Sequence, residues 1–228
     1  MEGSMIECPA KIPEEYKDFL GPIFELGGFV AGSFAATCSG PNLGFKPNDI
    51  DIWTETRDNF SLVFNKLRSS SYISYKGASS SQYNIAHRFI TSFPIRFQKS
   101  LQLIENINPI EEIINKFDFS ICKAYLKNLD SLIVNDLFFQ DVADKRLRYS
   151  IGAAKNKPCG LISYRLAKYI NRFYLPEIED IIHILSDLKK EEIEVFLSGI
   201  KNLKPYLSDS FISKINVLLG MQKFGRKV

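Results

Sequence analysis

Phe29-Val30-Ala31-Gly32-Ser33-Phe34-Ala35-Ala36-Thr37, followed by Asp49-Ile50-Asp51-Ile52-Trp53, is the stretch on which the fold turns. Phe29 to Ala31 is an apolar run of the length of a short buried strand, and Gly32-Ser33 breaks it at the turn into a helix. Free backbone N–H groups and the Ser33 hydroxyl then lie at a helix N-terminus, where phosphate binds. The second segment alternates with period two. Asp49 and Asp51 therefore share one face of a strand, while Ile50 and Ile52 enter the core. Further on, Asp118 is embedded in Phe117-Asp118-Phe119-Ser120-Ile121. The same alternation predicts a strand with Phe117 and Phe119 buried and Asp118 and Ser120 on the opposite face. If the two strands are neighbours, three carboxylates converge, and they repel one another unless cations are present. That pattern suits a site for two Mg²⁺ ions better than it suits a core.

A strand, Gly-Ser opening a helix, Asp-x-Asp on the next strand and a third Asp later: this order resembles the nucleotidyltransferase superfamily typified by DNA polymerase beta. Residues 26–53 and 117–122 carry the resemblance, and Ala31 stands where many members have another Gly. The resemblance implies an α+β fold, with a mixed β-sheet and flanking helices followed by a small C-terminal helical bundle. It also implies transfer of a nucleoside monophosphate from an NTP to an acceptor hydroxyl, with release of pyrophosphate. Asp49 and Asp51 would hold the Mg²⁺ that grips the triphosphate, and Asp118 with them the second Mg²⁺, Mn²⁺ being an alternative ion. Gly32 and Ser33 would cradle phosphate oxygens.

With 228 residues, 45% of them hydrophobic, and a mean hydropathy of −0.08, the chain is expected to be a soluble, cytoplasmic protein. No run reaches the length of a membrane span, and Met1-Glu2-Gly3-Ser4 lacks the pattern of a signal peptide. The net charge of +3 is too mild to declare a nucleic-acid binder by itself. Cys8, Cys38, Cys122 and Cys159 lack metal or redox spacing and read as reduced thiols. His87 and His183 are the only histidines, expected on the surface and on a helix, so a His-based metal site or a Ser-His-Asp triad has almost no raw material.

Residues 13–20 read as a first helix, and Phe60, Val63, Phe64 and Leu67 as the stripe of a helix laid on a sheet. The loop 39–47 is rich in turn formers. Ser69-Ser70-Ser71 and Ser79-Ser80-Ser81 are expected to be exposed turns around a strand at 72–75, and Leu101-Gln102-Leu103-Ile104 is a strand. Pro109 opens a helix carrying Ile110, Ile113 and Ile114, which leads to the Asp118 segment. Lys127 to Asp130 forms a hairpin turn. After residue 155 the texture is helical only, with segments at 161–173, 176–188, 190–200 and 209–219. The expected domains are therefore 1–155, catalytic, and 156–228, helical.

Arg165, Lys168 and Arg172 recur at helical spacing as a basic stripe. The resemblance gives Arg165 and Lys168 to the triphosphate as secondary clamps. The partners expected are the NTP and an acceptor. Nothing like a helix-hairpin-helix is visible, which disfavours a templated DNA polymerase. An RNA 3′ end, a small molecule, a protein side chain and a second nucleotide stay open, and the basic tail from Gln222 to Lys227 favours RNA. The competing class is a non-catalytic nucleotidyltransferase-fold module of antitoxin type. Oligomeric state is not legible.

Overall fold

The structure, a computed structural model, describes residues 4–71, 73–81, 84–91, 100–105, 107–153, 155, 157–201, 208–209, 213–214 and 217. Along the chain these form β1 (Met5–Pro9), α1 (Glu14–Glu25), β2 (Gly28–Ala31), α2 (Ser33–Thr37), β3 (Asp49–Thr54) and α3 (Arg57–Ser69). Then come β4 (Ile73–Ser81), β5 (Asn84–Thr91), β6 (Ser100–Glu105), α4 (Ile110–Asn115), β7 (Ala124–Leu126) and β8 (Ser131–Asn135). Helices α5 (Phe138–Ala143), α6 (Cys159–Ile170), α7 (Ile178–Asp187) and α8 (Lys190–Lys201) complete them. No helix among the described residues is long and apolar enough to cross a membrane.

All eight strands join one mixed sheet in the order β1-β8-β7-β2-β3-β6-β5-β4. Among the described strands only β3 and β6 pair in parallel; the other strand ladders described are antiparallel. The parallel pair needs a long crossover, and α3 with the β4–β5 hairpin supplies it. Helix α3 begins at Thr56, whose hydroxyl accepts from the Asn59 N–H at 3.1 Å. Its Val63 and Leu67 are buried. Helix α4 belongs to a core cluster with Phe29, Ala31, Trp53, Ile104 and Phe117. The β7–β8 turn closes on Asn128, whose carbonyl oxygen accepts from the N–H groups of Asp130 and Ser131 at 2.9 and 2.7 Å.

Several expectations change. Ser79-Ser80-Ser81 is not a turn but the end of β4, paired with β5 as far as Ser81↔Asn84. His87 is not a surface residue. Its ring lies 5.4, 5.1 and 6.1 Å from those of Phe60, Phe64 and Tyr75, and its Nε2 is 3.4 Å from Glu105. β1 is a strand that the sequence pattern did not reveal. Asp118 is not in a strand either: it sits in a bend, followed by an isolated Phe119↔Tyr149 bridge and a 3-10 turn at Ser120–Cys122. Phe117, Asp118, Phe119 and Ser120 are all buried, so the segment has no wet face to alternate with.

The chain divides into two compact units, residues 1–117 with 121–138, and residues 118–120 with 139–228. The sheet lies in the first. Residues 139–155 group with the C-terminal unit, whereas sequence texture places them with the sheet domain. In the second unit α6 packs against α8. Most of the helix expected at 209–219, and the basic tail, lie outside the described residues.

Candidate active site

In the first unit, β2 and β3 run antiparallel with Val30 opposite Ile52 and Ala31 opposite Asp51. The chain leaves β2 at Gly32, which has φ of +84°. A Cβ there would meet only Phe117, at an ordinary 3.7 Å, so it is the backbone angle rather than space that calls for glycine. The Gly32 N–H donates to the Ala124 carbonyl at 2.9 Å, and its carbonyl accepts from Ala36 at 2.9 Å, which starts α2. Glycine at the N-cap offers α2 no capping side chain, and half-buried Ser33 is the polar side chain of its first turn.

Asp49 and Asp51 stand half-buried on one face of β3, while Ile50 and Ile52 are fully buried on the other, as the alternation requires. The register carries the chain from Ala31, opposite Asp51, through Gly32 to Ser33 at the Asp49 end of the strand. α2 packs on β3. The ladder ends at Ala31 opposite Asp51, so the chain turns at Gly32-Ser33 next to Asp51 in the register. Gln102 on β6 adds a partner that sequence reasoning missed: its Nε2 donates to Asp49 Oδ2 at 3.2 Å. A polar residue between Leu101 and Leu103 was its only signal.

Asp118 belongs to the second unit. It is 3% exposed, and its carboxylate is held by Lys157 Nζ on Oδ1 and by Arg165 Nη1 on Oδ2. Arg165, expected on a triphosphate, is turned to Asp118, and Lys157 was not foreseen because it sits in a cluster of turn formers. The basic stripe also divides: Lys168 Nζ and Arg172 Cζ lie 5.8 and 5.4 Å from the Tyr169 ring centroid. In the same unit, Asp141 is fully buried and accepts from Ser120 Oγ at 2.5 Å and from Arg148 Nη2 at 3.0 Å. That hydrogen bond, ahead of the charge, pushes the Arg148 guanidinium up from its ordinary value. Among the described residues no three His, Cys, Asp or Glu side chains gather as a metal-binding group.

Burial pushes the Cys38 thiol, just past α2, up to about 12, and the Tyr125 phenol on β7 to about 12. At pH 8 Cys38 is expected to resist iodoacetamide in the native protein and to react on unfolding, as peptide mass mapping would show. Rapid native labelling of Cys38 would mean that the α2 end opens.

Comparison with solved structures finds the same fold in a Thermotoga maritima CCA-adding enzyme complexed with tRNA, at TM-score 0.58 and 13% identity over 88% of this chain. A tRNA-processing enzyme in apo form I gives 0.59 and 16% over 91%. A CCA-adding enzyme with CTP gives 0.54 and 12% over 86%. The chain spans 54%, 60% and 51% of those three chains, respectively. The fold is thus the nucleotidyltransferase fold, α+β, as the Gly-Ser and Asp-x-Asp order led us to expect. None of the curated proteins matches the sequence significantly. Residues 11–145, more than half of the chain and including β2, α2, β3 and Asp118, match the Gad2 family, described as Gabija anti-defense 2 family protein. The chain belongs to the Gad2 (Gabija anti-defense 2) family.

Proposed function

We propose that the protein is a nucleotidyltransferase of the DNA polymerase beta-like superfamily, dependent on Mg²⁺ or Mn²⁺, which serves in countering a Gabija defence system. The family supports the anti-defence role. The observation that supports the chemistry is the β2–β3 ladder, which pairs Ala31 with Asp51 just before the Gly32-Ser33 turn, with Asp49 and Asp51 half-buried on β3. Neighbours solved with CTP and with ATP support an NTP as donor. Two half-buried carboxylates on one strand face supply the hard oxygen donors that Mg²⁺ takes, so Asp49 and Asp51 fit as its holders. Asp118 fits less well, because two cations already compensate it; a place for it in a second metal site requires release of Lys157 and Arg165. Bound Mg²⁺ would supply charge neutralisation at the phosphates and a lowered pKa for the acceptor hydroxyl.

The transfer joins the acceptor oxygen to the α-phosphorus and breaks the bond from that phosphorus to the pyrophosphate oxygen, the hydroxyl proton passing to water. Ser33 Oγ and the N–H groups of the first turn of α2 orient phosphate oxygens. Gln102 fixes the Asp49 carboxylate. The Arg165 contact expected with the triphosphate would require its release from Asp118. RNA is the favoured acceptor, with a protein side chain or a small molecule as the alternatives.

The ion pairing of Asp118 favours a second reading, a non-catalytic module in which the third acid has become structural. Thermal denaturation with Mg²⁺ and each NTP decides between the two. An NTP at about a hundred times its Kd should stabilise the native state by about 2.7 kcal/mol. No shift with any of the four, together with no incorporation of labelled nucleotide, would leave the non-catalytic module.

A further inference from the structure

From Lys145 to Pro176 the chain has eight Lys and Arg residues and no Asp or Glu, in a protein whose net charge is only +3. Four of these cations turn onto carboxylates outside the segment: Arg146 to Glu177 and Asp180, Arg148 to Asp141, and Lys157 and Arg165 to Asp118. Lys155 and Lys168 make no ion pair among the described residues. The same segment presents two large aromatic rings to solvent. Tyr164, on α6, is 65% exposed, and Phe173, just after it, is 75% exposed. Lys168 follows Tyr164 at the i,i+4 spacing of one helix face.

Phe173 is held in that position at a cost. The Tyr174 N–H donates to the Tyr169 carbonyl at 3.1 Å and the Phe173 N–H to that of Ile170 at 2.9 Å, the bond pair of a Schellman motif. Phe173 takes its left-handed position, with φ of +65°. Glycine is the usual residue there, and a bulky one is an outlier. A ring that contributes no burial and strains the backbone calls for a role outside the fold. Solvent-facing aromatics set in a cationic segment without carboxylates are the recognised means of holding single-stranded nucleic acid, with bases on the rings and phosphates drawn by the cations. At helical rise, nine residues of chain set the Tyr164 and Phe173 backbone positions about 14 Å apart along the axis, and the left-handed turn at Phe173 re-aims its ring relative to the α6 face.

We infer that α6 and the turn after it form a platform for a single-stranded nucleic acid, with bases stacked on Tyr164 and Phe173 and a backbone phosphate at Lys168. The inference rests on the proposed nucleotidyl transfer and names its acceptor class, a polynucleotide rather than a protein. Phe173→Gly tests it without endangering the fold, since glycine relieves the left-handed strain.

Binding of fluorescein-labelled oligouridylate and of the matching oligodeoxynucleotide to the full chain is followed by anisotropy, without Mg²⁺ or NTP. The wild type should bind with a strong salt dependence. Phe173→Gly and Tyr164→Ala should each raise Kd about tenfold, with the melting temperature of Phe173→Gly unchanged or higher. The RNA and DNA arms show which sugar is preferred. Wild-type affinity in both variants, or no binding by the wild type, would overturn the platform, as would undiminished labelling of protein in an extract by Phe173→Gly with no labelled RNA. The NTP thermal shift is read separately, so loss of that shift with oligonucleotide binding intact would sink the transferase and leave the platform standing.

Discussion

Asp51→Asn should reduce transfer of labelled nucleotide by at least about a thousandfold while the protein stays folded, with a melting temperature in metal-free buffer equal to the wild type or above it. Asn keeps the shape of the side chain and removes its charge. Asp51 is half-buried, opposite Ala31 in the ladder, and its neighbours Ile50 and Ile52 face the other way, so the core is untouched. If Asp49 and Asp51 share a cation, loss of one carboxylate forfeits several kcal/mol of stabilisation of the charge that builds on the phosphates, which is a thousandfold or more in rate. Without metal, the same change removes one of two like charges on adjacent positions of a face and relieves their repulsion. Asp49→Asn should behave alike, and its amide oxygen can still accept from Gln102. Single-turnover incorporation and differential scanning fluorimetry measure the two effects. Wild-type turnover in Asp51→Asn would remove the carboxylate pair from the chemistry altogether.

The elements that hold this pair were legible because local rules decide them. Phe29 to Ala31 is too apolar for anything but a buried strand, glycine is what an angle of +84° asks for, and two Ile alternating with two Asp can occupy a ladder in one sense only. Where tertiary pairing decides, the sequence is silent or misleads. Met5 to Pro9 has little of the pattern of a strand and becomes one because it pairs with β8. Ser79 to Ser81 has the composition of a turn and is held extended by β5. The Asp118 segment misled for a different reason. Alternation of large apolar and polar residues marks a strand only when one face is wet, and here both flanking Phe residues, the Asp and the Ser are all buried. What the pattern did convey was that a buried acid needs a partner; it could not convey that the partners are Lys157 and Arg165, 39 and 47 residues away.

For Asp118 the expected sign of the mutational effect is therefore the reverse of that for Asp51. Asp118→Ala should lower the free energy of unfolding by about 3–5 kcal/mol, the range for removing one member of a buried ion pair. Its carboxylate, the Lys157 ammonium and the Arg165 guanidinium are 2%, 9% and 17% exposed, so the cations left behind have little water to replace what they lose. A fully apolar exchange, Asp118→Leu with Lys157→Met and Arg165→Leu, should recover most of the loss, since the desolvation cost of the charges goes with the charges. Urea unfolding of the metal-free protein, followed by far-ultraviolet circular dichroism, gives both values. A carboxylate that waits for metal among other acids behaves in the opposite way, and Asp118→Ala would then be as stable as the wild type or more so. The sign alone separates a structural anchor of the second unit from a third metal ligand. If Asp118→Ala also loses transfer beyond what its unfolded fraction explains, the anchor serves the chemistry by holding Arg165 in place. Arg165→Lys, which keeps the charge but not the guanidinium geometry, should then fall in activity while keeping much of its stability.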